Sequence, residues 1–160
     1  MSAFTLFHVV LSLVGISSGF VVLLGLLLGK GLPVWTATFL STTVLTSVTG
    51  FMFPVHHFMP SHGVGIVSLI VLALAIYALY LKRLAGGWRR FYVIVAVVAL
   101  YLNFFVLIVQ LFEKVPALKA LAPTQTEAPF KIAQLAALVA FTLLAIFATR
   151  RFGSDRLRTA

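Results

Sequence analysis

Long uncharged apolar runs divide this chain, and their lengths carry most of what can be read from it. Asp, Glu, Lys and Arg are missing from Met1 to Gly29, Gly31 to Leu81, Phe91 to Phe112 and Ile132 to Thr149. Crossing a hydrocarbon core of about 30 Å takes roughly 20 apolar residues in a helix. The second run is too long for one crossing and must fold back. Its punctuation is Pro54-Val-His-His-Phe-Met-Pro60-Ser-His-Gly63. Each proline removes a backbone donor and clashes with the preceding turn, so this stretch reads as an interfacial loop. The pattern predicts an all-α integral membrane protein, a bundle of five transmembrane helices at about 5–29, 33–53, 61–82, 90–113 and 130–150. They form one transmembrane domain over 1–160, with an outer cap over 113–131 and a basic tail over 151–160. Membrane strands would alternate apolar and polar positions over about 10 residues, whereas these runs are continuously apolar.

Composition agrees. Of 160 residues, 62% are hydrophobic and 9% charged, against about 45–50% apolar and about 25% charged in soluble domains. Mean hydropathy is +1.15. Disordered chains are poor in apolar residues, so disorder is excluded too. With no cysteine, disulfides, thiolate metal sites and Cys nucleophiles are excluded.

The net charge of +9 is mostly a topology signal. With the N-terminus outside, one side carries Lys30, Lys82, Arg83, Arg89, Arg90, Arg150, Arg151, Arg156 and Arg158. The other carries Lys114, Lys119 and Lys131. Basic residues in short loops favour the cytoplasm, so the expectation is N-terminus outside and C-terminus inside. Charges split among short loops do not make a nucleic-acid surface; anionic lipid headgroups are the expected counter-charge. A secretory signal peptide has a basic leading region. No Lys or Arg precedes Lys30, so the first helix is expected to be retained. Trp35, Tyr77, Tyr80, Trp88 and Tyr92 are expected in the inner aromatic belt, and Phe4, Phe53, Phe58 and Phe130 in the outer one.

Polar residues in the spans are the candidate chemistry. All four histidines fall on the outer side: His8 near the start of the first helix, His56 and His57 in the loop, and His62 at the start of the third helix. Histidine in hydrocarbon usually faces a bundle interior or a cavity. The first and third helices run in the same direction, so His8 and His62 should lie at similar depth and could be axial ligands of one haem b. At 100° per residue, Ser12, Gly15 and Gly19 lie within about 40° of His8, and Gly63 and Gly65 adjoin His62. These would form a groove for a flat ring. A second reading gives His56, His57 and His62, with His8 and Met59 nearby, to copper or zinc, for which imidazole and thioether are suitable ligands. The competing structural reading is packing alone. Gly15 to Gly19 and Gly25 to Gly29 are both GxxxG patterns, which let helices approach closely.

Asn103 and Gln110 lie on one face of the fourth helix, followed by Glu113 at the membrane edge, with Gln134 on the fifth helix as an expected partner. Buried amides must find partners in lipid and commonly join helices. The functional alternative is an outward-opening pocket lined by His8, His62, Gln110, Glu113 and Gln134, suited to a quinone headgroup or a proton path. Eight hydroxyls on the second helix split over opposite faces: Thr38, Thr42 and Thr49 on one, Thr36, Thr43 and Ser47 on the other. A pore needs one stripe. Two faces fit a helix packed on both sides, with hydroxyls bonding carbonyls four residues back. The chain has no P-loop, HExxH or GxGxxG motif, which argues against the soluble-enzyme chemistries those motifs carry. Only three acidic residues are present, so paired-carboxylate catalysis is not expected.

The stretches Pro60-Ser-His-Gly-Val-Gly-Ile-Val, Tyr101-Leu-Asn-Phe-Phe-Val-Leu-Ile-Val-Gln110 and Leu121-Ala-Pro-Thr-Gln-Thr-Glu-Ala-Pro-Phe130 resemble a group of small bacterial inner-membrane proteins. That resemblance covers most of the chain and implies a multi-pass protein of the bacterial inner membrane, with no activity attached. His8 and His62 also resemble the ligands of two-histidine b-type membrane cytochromes. Those families often carry two haems with ligands at two depths. This chain has no inner-side histidine, so at most one haem fits. Two functions from different classes follow. One is a haem b redox protein or electron-transport subunit exchanging with quinone. The other is an accessory subunit or small-solute transport protein without cofactor, self-associated or in a larger membrane complex.

Overall fold

The computed structural model describes residues 3–53 and 60–153. His56, His57 and Met59, with Pro54, Phe58, Arg156 and Arg158, lie outside the described residues. The described chain is all helical: α1 (Ala3–Leu27), α2 (Pro33–Gly50), α3 (Pro60–Ile76), α4 (Trp88–Lys114), the short α5 (Pro116–Leu121) and α6 (Ala128–Gly153). A π-helical turn, Tyr77–Leu81, extends α3. Four helices are long and apolar enough to cross a membrane: α1, α3 with its extension, α4 and α6. The hydroxyl-rich α2 is not among them. The expected outer cap contains α5, which follows α4 after Val115.

Around the bundle, α2 packs on α1 and α3, α3 on α4, α4 on α6, and α6 on α1. A further contact between α1 and α4 closes the centre. The main core follows from that arrangement. Leu23, Phe39, Leu72, Val93 and Leu100, from four helices, are buried together, and Phe141 of α6 joins them.

α1 and α2 form an antiparallel hairpin with glycine at its close approaches. Gly29, at φ 72°, lets the chain leave α1, and the Lys30 N–H caps it by donating to the Gly25 carbonyl at 2.8 Å. Pro33 then opens α2 at the position where a missing N–H costs least. Along the hairpin, Gly25 faces Leu32, Gly19 faces Phe39, and Gly15 faces Thr42 and Thr43. His8 meets Thr49 at the far end. The first GxxxG pattern and Gly25 therefore serve close packing.

The hydroxyls of α2 divide as the two-faced pattern predicts. Thr36, Thr43 and Ser47 are buried, and so is Thr49 of the other face. Thr38, Ser41, Thr42, Thr46 and Thr49 each donate to the carbonyl four residues back. Ser47 reaches across to Ser68 of α3 at 3.3 Å. A hydroxyl satisfied by its own helix exposes little unpaired polarity to lipid.

Basic residues cluster at one end. Gly31 lies beside the Phe152 ring. Arg89 of α4 donates to the Phe152 carbonyl and stacks its guanidinium 4.2 Å from the Phe152 ring centroid. A cation on the last carbonyls of a helix also complements the helix dipole. Between α3 and α4, Arg83 (φ 49°) and Leu84 (φ 56°) turn the chain sharply. Lys82 Nζ lies 5.4 Å from the Tyr77 ring centroid and 5.5 Å from that of Trp88. Tyr77, Trp88, Trp35 and Tyr80 remain at least partly exposed, as a belt requires. Tyr92 departs from that expectation: it is 2% exposed and its hydroxyl faces Thr36. Its position in the first turns of α4 points inward because α4 is the helix most neighbours pack against.

Candidate functional site

The end opposite the basic cluster holds His8 and His62, which meet different residues at the end of α2. His8 Nδ1 lies 2.8 Å from Thr49 Oγ1. The Thr49 hydroxyl also lies 2.7 Å from the Leu45 carbonyl of its own helix. The contact with His8 uses Nδ1 and not Nε2. The His8 ring packs edge-on against Phe53, centroids 5.1 Å apart, and Phe53 also meets Phe4 at 5.0 Å. His62 stacks on Phe51, with centroids 5.7 Å apart and planes 22° apart.

Of the glycines expected to line a ring-shaped groove, Gly15, Gly19 and Gly65 adjoin side chains, whereas a Cβ on Gly63 would meet nothing within 4 Å. A Cβ on Gly65 would come within 2.9 Å of the Phe51 ring. On Gly19 it would meet Leu100 at 2.5 Å and Phe39 at 2.9 Å, and on Gly15 it would meet Thr42 at 3.2 Å. Ser12 donates to the Val9 carbonyl of its own helix at 2.8 Å. Among the described residues, no group of three or more His, Asp or Glu is assembled to hold a metal ion.

The amides act as joints between helices. Asn103 donates to Thr43 Oγ1 at 3.1 Å, linking α4 to α2 beside Gly15. Gln134 donates to the Phe105 carbonyl at 3.2 Å, linking α6 to α4. The Gln134 Oε1 is buried without a hydrogen-bond partner, the only side-chain atom so placed among the described residues. Gln110 is half-buried and Glu113 exposed. The residues expected to line one outward pocket thus distribute over several contacts: His8 between α1 and α2, His62 against Phe51, and Gln134 between α4 and α6.

Two features at this end escaped the sequence reading. Gln125, at φ 59°, donates its side-chain amide to the Val109 carbonyl at 3.1 Å and clasps the loop before α6 to α4. Glu127 closes that loop: its carboxylate accepts from the Thr124 hydroxyl at 2.8 Å, the Thr124 N–H at 3.2 Å and the Thr126 N–H at 3.0 Å. The Thr124-Gln-Thr-Glu127 spacing has the form of a capping box and was the available signal. The Thr124 hydroxyl, chiefly, and the backbone donors hold the Glu127 carboxyl below its ordinary 4.5. A lowered carboxylate pKa stabilises the turn above the unfolded value, and that contribution is lost as pH falls through the folded value. Amide exchange at Thr124 and Thr126 is therefore expected to speed up as pH drops below about 4.5, after correction for intrinsic rates. Glu127→Gln should remove that extra pH dependence.

Comparisons of the chain with protein-family models, curated proteins and solved structures return no match. The apolar helices define the class: a multi-pass membrane protein in contact with a lipid bilayer.

Proposed function

We propose that this chain is a non-catalytic accessory subunit of a complex in the bacterial inner membrane, crossing five times with its N-terminus outside and C-terminus inside. The observation that supports a non-catalytic role is the use of the polar residues. Asn103, Ser47, Ser68, Gln134 and His8 all bind other helices, as joints do, rather than forming one polar file. The fifth crossing is supported by the hairpin of α1 and α2. Its contacts run from His8 with Thr49 to Gly25 with Leu32, so α2 covers most of the depth that α1 covers. The excess of basic residues at the Phe152 end supports the orientation. The bacterial location rests on the resemblance carried by the segments around Pro60, Asn103 and Gln125.

Native-membrane purification in mild detergent tests the role: a complex larger than the chain alone is expected, and recovery of this chain alone overturns it. Tag accessibility tests the topology, with the N-terminus expected to be labelled from outside.

One observation favours a second reading, a haem b between His8 and His62. Thr49 Oγ1 holds the Nδ1 side of His8 at 2.8 Å, so Nε2 would be the ligating nitrogen. The visible spectrum decides between the two. A colourless protein is expected; a Soret band lost in His8→Ala or His62→Ala would put the redox reading in its place.

A further inference from the structure

An apolar groove of about 410 Å³ runs along the surface between α4 and α6. Its walls include Ile94, Val97 and Tyr101 on α4, and Leu138, Ala145 and Arg150 on α6. Volumes of this size hold small molecules in other proteins. Two further properties say what this groove fits. From Leu138 to Arg150 the α6 wall rises about 18 Å at 1.5 Å per residue. Half of a hydrocarbon core is about 15 Å, so the groove has the length of one leaflet. Its charge is one-sided. Arg150 closes the groove at the basic end, and Arg90 stands one helical turn before Ile94, on the same face of α4. Arg90 and Arg150 are both exposed.

We propose that this groove holds one acyl chain of an anionic phospholipid from the leaflet at the basic end, with its phosphate at Arg90 and Arg150. The apolar wall matches the hydrocarbon. The guanidiniums match phosphate in charge and offer paired donors to its oxygens. A zwitterionic lipid has the same chain but meets the arginines with its own cation nearby, so the site distinguishes headgroups while the groove does not. The inference needs only that the chain lies in a bilayer, and recovery in the membrane fraction checks that premise separately.

The test is native mass spectrometry of the full chain in detergent, titrated with phosphatidylglycerol and phosphatidylcholine of identical acyl chains. The wild type is expected to retain phosphatidylglycerol preferentially. Arg90→Gln and Arg150→Gln should each lower that preference about fivefold, as expected for one basic side chain at an anionic surface. Arg83→Gln, at the same end but outside the groove, should leave the preference unchanged. Ala145→Trp should fill the groove and reduce retention of both lipids. Equal retention of the two lipids by the wild type overturns the proposal, as does a preference that survives both arginine substitutions. A dimer broken by Ala145→Trp without any lipid preference assigns the groove to a second copy instead. Should Ala145→Trp fail to fold, the arginine variants still decide.

Discussion

Gly19→Leu is expected to lower the unfolding temperature of the detergent-solubilised protein by about 5 °C, corresponding to an overpacking cost of about 1–3 kcal/mol. Gly19 sits where α1, α2 and α4 meet. A Cβ there would stand 2.5 Å from Leu100 Cδ1 and 2.9 Å from two Phe39 ring carbons. Phe39 and Leu100 are themselves almost wholly buried and have little room to yield. A leucine extends well beyond its Cβ and would have to part the helices. Gly63→Leu provides the comparison, because a Cβ at Gly63 meets nothing within 4 Å. Thermal unfolding of both variants checks the prediction. Equal losses would mean that glycine acts through backbone freedom rather than through close approach.

The second large effect is expected at Asn103, midway along α4. Asn103→Asp replaces the donor that binds Thr43 Oγ1 and places a carboxylate near the helix centre. Insertion measurements put an aspartate there at about 2.5–3.5 kcal/mol. Asn103→Leu removes only the interhelical bond, which averages about 0.6 kcal/mol in membrane proteins, and the Thr43 hydroxyl can still turn to its own helix. The expected order of stability is wild type, then Leu slightly below, then Asp far below. Acidic pH should narrow the gap for Asp, since protonation removes the charge that hydrocarbon disfavours. Denaturant-induced unfolding in mixed micelles at two pH values measures it. An Asp variant as stable as the Leu variant at neutral pH would place residue 103 in water.

Helical periodicity made the α2 hydroxyls legible, whereas it set Gly15 and Gly19 beside His8 as a groove for a ring, and the structure sets them against Thr42, Thr43, Phe39 and Leu100. Thr36, Thr43 and Ser47 share a face by spacing, and the structure buries that face. Gln134 reached α4, as a helix-joining amide should, but its acceptor is the Phe105 carbonyl and not another side chain. Backbone acceptors leave no mark in a sequence. Tyr92 lay beyond periodicity for a related reason: a tyrosine near a helix end can serve the interface or the interior, and only the neighbours of α4 select the second.

Hydropathy alone determined that the chain is helical and meets lipid, because unpaired backbone is intolerable in hydrocarbon whichever residues surround it. The distribution of lysine and arginine likewise belongs to the sequence, since loop charge needs no partner. Only the tertiary structure decided that His8 binds Thr49, that His62 stacks on Phe51, and that Phe39 and Leu100 crowd Gly19. Those facts depend on which helix lies beside which and at what register. The apolar pattern of one helix is compatible with many such arrangements, so pairwise contacts enter only with the assembled bundle.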